Sequence, residues 1–485
     1  MARKSKNVLT ERGVDRRATG YYATPSFIAE YFFTRCLTIN PFGRKVLDPC
    51  VGQEELLAPF LDQSMSHTFD LFGVDVIAHQ HQYAATFQQQ DFLLAYQSED
   101  FKADYIVANP PYNCHEVDYI KHEKQRLKTR FADVGVHNMY SMFLAAMIDA
   151  AQDGAVICCI CDSSFLSAKV HKKLREKILS SCRIHDLLLC PTDLFLAQGA
   201  NVRTCILVLQ KGHQFPQSSI RLLNRPLSEK AFRDALVAEE FEMTLLDDII
   251  LTGGTDNKEF LVGVPPEIKR LFDGPRLAQS FACISGVSTG NDRQFIRKQA
   301  EPGFSIPFYK NPSSNKFYCA PNGFLTDDFL AQSQVDANFN VRNQGYLFQS
   351  GLTCSSMGVE FSACLLPSGS LFGVNPNIIC NEQEQWWLLA YMNSDVVKYC
   401  VRGVLIRSNM ITSGYVARLP LPQFTAQAKH HLASLAKQAY QNAQQQQSHQ
   451  PQRAQINDIV FKELKLGVTS IRYISDFCGH IVKRT

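Results

Sequence analysis

The sequence contains no apolar run that approaches the ~20 residues an α-helix needs to cross a bilayer. Its first twenty residues are polar and basic, so they lack the apolar core of a secretory signal. An excess of charge of one sign is also lacking, because 49 basic residues stand against 46 acidic ones and give a net charge of +3. We therefore expect neither a membrane protein nor an exported one, and overall charge does not decide whether the chain binds nucleic acid.

Sixteen cysteines are scattered along the chain without the export signal that accompanies a disulfide framework. We therefore predict reduced thiols. Cys158 and Cys161 have a C-x-x-C spacing, but they stand inside an apolar run that is typical of a buried strand. Because no second pair of thiols or imidazoles follows at ligand spacing, we predict no metal site.

Residues 45 to about 211 alternate short apolar runs with amphipathic stretches, which is the pattern of an α/β fold with a mostly parallel sheet. Apolar residues at helical spacing predict helices over 138–151 and 169–180. The predicted strands lie at 45–48, 71–75, 105–108, 155–158, 186–190 and 204–209.

The alternation of apolar runs and amphipathic stretches ends at about residue 216, which indicates a second domain. A polar helical segment is predicted over 227–246, then a Gly-, Pro- and Asn-rich stretch over 253–322 and a helix over 386–401. At 485 residues the chain also exceeds one domain of ~100–200 residues. We expect domains over 1–245 and 246–425, followed by a helical extension over 426–485.

Polar residues stand directly after the predicted strands, where the ligands of an open α/β sheet bind. Asp75 is placed to accept hydrogen bonds from both hydroxyls of a ribose. Asp91 is placed to accept one from an adenine amino group, with Phe92 or Val76 against the ring. For each aspartate the alternative is a helix N-cap, which uses the same acceptor.

The segment Asn109-Pro110-Pro111-Tyr112 ends the predicted strand over 105–108. Its two prolines fix the backbone and remove two donors, so carbonyl acceptors dominate there. The side-chain oxygen of Asn109 and the carbonyl of Pro110 can accept both N–H groups of an adenine N6 amine, which lets the nitrogen turn toward sp³. Tyr112 would stack on the ring. The alternative is a rigid turn without function.

The order of these motifs resembles the adenine-N6 DNA methyltransferases in which cofactor motifs precede the catalytic motif and a target recognition domain follows. The matching segments are Ala23-Thr24-Pro25, Asp48-Pro49-x-x-Gly52, Gly73-Val74-Asp75, Asp91-Phe92 and Asn109-Pro110-Pro111-Tyr112. The resemblance implies the class I S-adenosylmethionine-dependent methyltransferase fold, which is α/β and Rossmann-like, with a C-terminal α+β target recognition domain. It also implies S-adenosylmethionine as the cofactor and base flipping of an adenine in double-stranded DNA.

The resemblance assigns roles to individual residues. The segment over 21–25 would contact the methionine end of the cofactor. The loop over 194–204 would carry the aromatic that stacks on the flipped adenine, here Phe195, for which a core phenylalanine is the alternative. Glu54 departs from the family, because it stands where a second glycine is usual and could crowd or repel the methionine moiety. The implied cofactor set is Tyr21, Thr24, Pro25, Asp48, Pro49, Gly52, Asp75, Val76, Asp91, Phe92 and Asn109.

Segments 286–293 and 393–422 resemble the recognition domains of the same family. The candidates for contacts to phosphates or base edges there are Arg402, Arg407, Ser408 and Asn409. The resemblance implies double-stranded DNA as the partner, in a restriction–modification or phage-defence setting. A separate restriction endonuclease or defence-system subunit is a further candidate partner, and a cytoplasmic, nucleoid-associated location in a prokaryote is expected.

Two other functions stay open on the sequence alone. The same Asn-Pro-Pro-Tyr loop serves methylation of a glutamine side chain in a protein or of a base in RNA, although such enzymes rarely need so large a C-terminal part. The other is a DNA-binding specificity or scaffold protein with a decayed catalytic domain, which only Glu54 supports. The intact catalytic loop disfavours it.

Overall fold

The structure is a computed structural model that describes residues 20–61, 68–95, 102–112, 118–200, 202–212, 218–406 and 410–480. The chain divides into two compact units. Unit 1 comprises residues up to 252 together with 257–263, and unit 2 comprises 253–256 together with residues from 264 onward. The division falls near the boundary expected at 245, and unit 2 contains the stretch expected as a helical extension and most of the expected recognition domain, whose residues 246–252 and 257–263 belong to unit 1. The separate roles of the two stretches stay predictions.

Nine strands of unit 1 form one sheet. They are β1 (Lys45–Asp48), β2 (Asp70–Asp75), β3 (Thr86–Gln89), β4 (Tyr105–Ala108), β5 (Val156–Asp162), β6 (Cys182–Leu189), β7 (Thr204–Lys211), β8 (Ser219–Leu223) and β9 (Glu242–Leu245). Their order across the sheet is β3-β2-β1-β4-β5-β7-β6-β8-β9. Strands β1 to β5 pair in parallel, whereas β7 is antiparallel to β5 and β6, and β9 is antiparallel to β8. The mostly parallel sheet predicted from the sequence is confirmed.

The central strands are buried on both faces, which explains their continuous apolar sequence. Successive side chains of β5 enter two different cores, one of which contains Ile157 and Cys161 and the other Cys158 and Ile160. The two cysteines of the C-x-x-C spacing therefore lie on opposite faces of the sheet and cannot share a metal ion. Among the residues described, no group of three or more His, Cys, Asp or Glu side chains could hold a metal.

Helices cover the two faces of this sheet. They are α1 (Ser26–Ile39), α2 (Phe92–Ala95), α3 (Asp118–His122), α4 (Lys124–Arg130), α5 (Met139–Ala150), α6 (Lys172–Ser181), α7 (Glu229–Val237) and α8 (Leu246–Ile249). Buried residues of α5 and α6 join the core of Ile157, whereas those of α1 and α7 join the core of Cys158. Each face thus has the apolar cover that a parallel sheet requires.

The helix predicted over 227–246 is wrong for the second half of that range. Helix α7 is capped by Ser228, whose hydroxyl accepts from the Ala231 amide at 3.3 Å, and it ends at Val237. Glu239 then has a φ of 51°, which breaks the helix, and β9 follows because it pairs with β8. Tertiary pairing thus overrides a polar sequence that has helical spacing.

Unit 2 contains strands and helices and is α+β, as the family resemblance implied. Its strands are β10 (Ala282–Ile284), β11 (Val287–Ser288), β12 (Ile296–Arg297), β13 (Ile306–Tyr309), β14 (Gly323–Leu325), β15 (Asn340–Val341), β16 (Gly351–Cys354), β17 (Ala363–Leu366), β18 (Leu371–Phe372) and β19 (Asn377–Ile379). They form two four-stranded sheets, β10-β19-β16-β17 and β12-β14-β13-β18, and the pair β11-β15.

The helices of unit 2 dominate its C-terminal half. They are α9 (Pro266–Asp273), α10 (Asp292–Phe295), α11 (Phe329–Val335), α12 (Glu382–Met392), α13 (Asp395–Tyr399), α14 (Ser413–Ala417), α15 (Ala426–Gln444), α16 (Gln450–Glu463) and α17 (Val468–Gly479). Helix α12 packs against α15, so the last helices belong to the body of this unit. Over the described part of the chain, no helix has both the length and the apolar character to cross a membrane.

The single helix predicted over 386–401 is interrupted. Asn393 is buried, and its side chain accepts from the Ala363 amide at 3.2 Å and donates to the Ala363 carbonyl at 2.9 Å. This pairing with β17 ends α12, and Ser394 caps α13 through the Val397 amide. A π-helical turn over Cys400–Leu405 follows.

Candidate active site

A pocket opens in unit 1 where strands β1 to β4 end. This is the edge at which open α/β sheets bind ligands. The lining residues are Gly20, Tyr21, Pro49, Cys50, Asp75, Val76, Ile77, His79, Gln90, Asp91, Phe92, Leu93, Asn109, Pro111, Tyr119, Met139 and Phe143. Most of the residues predicted for the cofactor therefore meet in one place.

Four predicted cofactor residues support the wall of this pocket instead of lining it. The Gly52 amide donates to Asp75 at 3.1 Å, and the Asp48 carboxylate accepts from the Cys50 amide at 3.0 Å. Thr24 accepts a hydrogen bond from Asn109, and the Pro25 carbonyl accepts from the first turn of α1. They fix the loops that carry the lining residues.

Asp75 joins the loops that follow β1 and β2. Its Oδ2 accepts from the Gly52 amide at 3.1 Å, and its Oδ1 accepts from the Ile77 amide at 3.2 Å. The His79 Nε2 lies 3.8 Å from the same Oδ1. A carboxylate has about four acceptor positions, so each oxygen keeps one for a ribose hydroxyl.

Asp91 is both a helix cap and a lining residue. Its Oδ1 accepts from the Leu93 and Leu94 amides at 3.0 and 3.2 Å, which is the N-cap geometry of α2. Its Oδ2 accepts from the Tyr119 hydroxyl at 2.9 Å. Burial, and then the charge of Asp91, raises the pKa of Tyr119, so this hydroxyl stays a donor. Sequence reasoning missed Tyr119, which lies in a short polar helix without any motif.

The wall beside Asp91 is apolar. Phe92 and Phe143 stack with ring centroids 6.0 Å apart and planes at 14°. Val76 and Ile77 line the same pocket. Flat rings and aliphatic side chains of this kind suit a purine, which offers two apolar faces.

Two carboxyls, the buried Asp48 and the partly buried Glu55, lie at the loop that follows β1. Burial raises the pKa of Asp48 well above its usual range, and the charges of Asp75 and Glu55 add to this shift. Burial also raises the pKa of Glu55, although the Tyr21 hydroxyl donates to its carboxylate and opposes the shift. Closely placed carboxyls favour a cationic ligand, because a positive charge would lower each of these pKa values.

The expectation that Glu54 would crowd or repel the methionine moiety is wrong. Its carboxylate accepts from the Ala84 and Ala85 amides at 3.1 and 2.8 Å and from the Gln80 side chain at 2.5 Å. The residue is buried and has a φ of 66°, which is the left-handed region where a glycine is usual. Glu54 therefore keeps the backbone turn of the family and places its side chain against the segment before β3.

The amide of Asn109 has a fixed orientation. Its Nδ2 donates to the Tyr22 carbonyl at 2.9 Å and to the Thr24 hydroxyl oxygen at 3.0 Å. Because a carbonyl can only accept, the nitrogen must face Tyr22 and the oxygen must face away from it. The Oδ1 is thereby left as the acceptor, and in this structure it receives the Tyr112 hydroxyl.

Tyr112 belongs to an aromatic cluster at the end of β4. Its ring stacks on Tyr22 with centroids 6.5 Å apart and planes at 8°, and meets Phe195 edge-on at 6.3 Å. Burial raises the pKa of Tyr112 well above its usual range, so the hydroxyl keeps its proton. Its stacking on a base stays a prediction.

Phe195 is 1% exposed and joins the core of Cys158. This burial matches the alternative of a core phenylalanine, while its contacts with Tyr22 and Tyr112 place it beside the catalytic loop. The loop is tied to the N-terminal segment by Gln198, whose side chain exchanges two hydrogen bonds with the Ala23 backbone. Sequence reasoning missed this residue as well.

Of the candidates for DNA contacts in unit 2, the structure describes only Arg402. Arg402 is 3% exposed, donates to the Gly358 carbonyl, and has a pKa lowered by burial. The structure therefore does not support Arg402 as a phosphate contact. Arg407, Ser408 and Asn409 lie outside the described residues. Residues 287–293 of the segment 286–293 line a pocket within this unit.

Residues 13–245 match the family model described as N-6 DNA Methylase. Among solved structures, a nuclease-deletion mutant of the type ISP restriction–modification enzyme LlaGI, in complex with a DNA substrate mimic, has a TM-score of 0.52 and 10% identity. The alignment covers 87% of this chain and 54% of that one. The DrdV–DNA complex has a TM-score of 0.50 and 12% identity, with 88% and 57% covered.

The type ISP enzyme LlaBIII bound to DNA has a TM-score of 0.50 and 11% identity, and the alignment covers 86% of this chain and 39% of that one. This chain thus spans about half or less of the length of these three proteins. At such identities the likeness concerns the fold, and it extends over most of the chain. Residues 13–245 are therefore similar to the N-6 DNA methylase family, and the mostly parallel sheet of unit 1 is the class I S-adenosylmethionine-dependent methyltransferase fold that the order of the motifs implied.

Proposed function

We propose that this chain transfers a methyl group from S-adenosylmethionine to N6 of an adenine within a specific sequence of duplex DNA. The observation that carries the proposal is the Asn109 amide. Its nitrogen donates to Tyr22 and Thr24, so its oxygen is left as an acceptor, and Asn109 lines the strand-end pocket. An acceptor with a fixed orientation is what a delocalised amine needs in order to become nucleophilic.

The pocket fits the cofactor that the family uses. Asp75 would accept the ribose hydroxyls, Asp91 the adenine amino group, and Phe92 with Val76 would flank the ring. Tyr21 and Pro49 line the remaining part, with Thr24, Pro25, Asp48 and Gly52 behind them. S-adenosylmethionine, when bound, supplies an electrophilic methyl group on a sulfonium cation.

The carboxyls at the loop after β1 suit the methionine end of S-adenosylmethionine, which carries a sulfonium and an ammonium group. Asp48 is buried and Glu55 is partly buried, burial raises the pKa of each, and Glu55 accepts a hydrogen bond from Tyr21. A sulfonium and an ammonium group near these acids would favour their ionised forms.

The target amine would meet two acceptors. Asn109 offers its Oδ1 and Pro110 its backbone carbonyl, and the two prolines contribute no competing N–H. The Tyr112 hydroxyl donates to the same Oδ1 in this structure, and an amide oxygen has two lone pairs, so it can also accept from the target amine.

Duplex DNA as the substrate agrees with a large second unit. An adenine must leave the base stack to reach a loop at the edge of a sheet, which costs a few kcal/mol. We assign target recognition to 246–425 and support of that region to the helices over 426–485. LlaGI, DrdV and LlaBIII are each described in complex with DNA or a DNA mimic, which supports this assignment.

A restriction–modification or phage-defence setting is part of the proposal. LlaGI and LlaBIII are restriction–modification enzymes of which this chain spans only a part. A separate restriction endonuclease or defence subunit is therefore the proposed protein partner. The scaffold alternative loses its support, because Glu54 is turned away from the pocket and bound to backbone amides.

The substrate class is tested by offering duplex DNA without adenine methylation, RNA and a protein mixture in parallel, each with tritiated S-adenosylmethionine. Label in DNA alone is expected. Label in protein or RNA alone would replace the proposal with the glutamine or RNA methyltransferase alternative. Binding of the cofactor without label in any substrate would favour a scaffold.

A further inference from the structure

The two acceptors that orient Asn109 flank a single residue. The Tyr22 carbonyl and the Thr24 hydroxyl oxygen receive the Asn109 Nδ2 at 2.9 and 3.0 Å, and Ala23 lies between them in the chain. The orientation of the Asn109 amide therefore depends on where the backbone of Ala23 is held. A small rotation of this peptide would move both acceptors together.

Gln198 holds that peptide from the other side. Its Oε1 accepts from the Ala23 amide at 2.8 Å, and its Nε2 donates to the Ala23 carbonyl at 2.8 Å. One side chain thus satisfies both polar groups of one residue, in the manner of a neighbouring β-strand. These groups are 175 positions apart in the sequence, so the contact is tertiary.

The loop that carries Gln198 is itself well defined. A short 3-10 turn over Leu196–Gln198 ends at Gly199, whose φ is 86°. The Gln198 and Ala200 amides both donate to the Phe195 carbonyl at 3.1 Å. The side chain of Gln198 therefore starts from a fixed backbone, and it is only partly exposed.

We propose that Gln198 is a positioning residue that keeps the Asn109 amide in its reactive orientation by clamping the Ala23 backbone. The inference rests on the proposed function for its effect on turnover. Without the clamp, residues 22–24 shift, and the Asn109 amide is free to turn its N–H groups toward the target amine, where two donors conflict. Tyr21, which lines the cofactor pocket, lies two residues before Ala23, so loss of the clamp should also weaken cofactor binding.

Only a carboxamide of this length supplies both halves of the clamp. A carboxylate can accept from the Ala23 amide, but it repels the Ala23 carbonyl until it is protonated. A methionine has a similar length and neither group. Gln198→Met therefore removes the clamp at every pH, whereas Gln198→Glu restores it as pH falls and the carboxyl gains a proton.

The experiment compares the parent with Gln198→Met, Gln198→Glu and the control Gln125→Glu on the exposed face of α4. Calorimetry gives the Kd for S-adenosylmethionine, and methyl transfer to duplex DNA gives kcat and KM, each between about pH 5 and pH 8. Thermal unfolding shows whether each variant is folded. The affinity readout needs no turnover, so it still decides the inference if the proposed function fails.

We expect Gln198→Met to lower kcat by about 10- to 100-fold, as displacement of a reacting group does, and to weaken cofactor binding. Relative to the parent, Gln198→Glu should regain kcat and affinity as pH falls, while Gln125→Glu follows the parent throughout. Parent-like kcat and affinity in Gln198→Met, or a ratio of Gln198→Glu to parent that does not change with pH, would overturn the clamp. If Gln198→Met does not fold, the pH profile of Gln198→Glu decides alone.

Discussion

Replacing Asn109 by alanine removes the acceptor on which the proposed chemistry depends. Loss of one hydrogen-bond partner of a developing transition state costs about 2.7–4 kcal/mol, which is a fall in kcat of about 10²- to 10³-fold. The change also deletes the bonds from Nδ2 to the Tyr22 carbonyl and the Thr24 hydroxyl oxygen and the bond from the Tyr112 hydroxyl. At about 0.5–1.5 kcal/mol each, these three bonds contribute about 1.5–4.5 kcal/mol to stability.

Two further variants distinguish a loss of the chemical step from a loss of stability. Thr24→Val removes one of the two acceptors that orient Asn109 and keeps Oδ1, so kcat should fall by only about 2- to 13-fold, the equivalent of one hydrogen bond. Thr34→Val is the matched control, because Thr34 is exposed on α1 and bonds only within its helix. Its kcat should equal that of the parent.

Single-turnover kinetics at saturating cofactor measure this series, with a gel-shift assay for DNA binding and thermal unfolding for stability. Asn109→Ala should lose turnover and keep DNA binding. Turnover near the parent value in a folded Asn109→Ala would refute the role of the acceptor. A Thr24→Val variant as slow as Asn109→Ala would place the critical group in residues 22–24 instead.

Three further outcomes are expected. Phe195→Ala should weaken capture of the flipped base, and an unchanged fluorescence of 2-aminopurine at the target, relative to the parent, would contradict its role. Glu54→Ala leaves the Ala84 and Ala85 amides unsatisfied and should cost about 2–6 kcal/mol in chemical denaturation; parent-like stability would show that these bonds are unimportant. A bound cation lowers the raised pKa of Glu55, so calorimetric affinity for S-adenosylmethionine should fall as pH falls through that pKa; an equally steep dependence in Glu55→Gln would contradict this.

The fold of unit 1 was predictable because its central strands are buried on both faces. That burial produces continuous apolar runs such as those of β4 and β5, which stand out in the sequence. Since parallel strands end at one edge, the residues after them, such as Asp75 and Asn109, could be assigned to one pocket from the sequence alone. The strength of the prediction came from this geometry and from the order of the motifs.

The contacts that the sequence did not reveal join side chains to distant backbone. Glu54 binds the amides of residues 84 and 85, and Gln198 binds the peptide of Ala23. Every residue except proline has the same backbone groups, so the sequence cannot show which amides a side chain will bind. A glutamate at a position where glycine is usual therefore suggested that Glu54 would crowd the cofactor, whereas it binds backbone amides instead. The hydrogen bond from Tyr119 to Asp91 was missed for the related reason that a polar helix has no motif.

Arg402 lies in a stretch of sequence that indicates burial. The residues around it, Cys400-Val401 and Gly403-Val404-Leu405-Ile406, form an apolar run, and the structure buries the whole of it. A charged residue inside such a run is more often paired with backbone in the interior than exposed to a ligand. The single helix predicted over 386–401 failed for another reason, because Asn393 pairs with β17.

The central claim is that the methyl group arrives on N6 of adenine. The most direct measurement is to methylate duplex DNA lacking adenine methylation with the parent protein and labelled cofactor, digest it to nucleosides, and identify the labelled one by mass spectrometry. The account predicts label in N6-methyldeoxyadenosine, lost with Asn109→Ala. Label in a methylated cytosine, or no label from a parent that binds both cofactor and DNA, would contradict it.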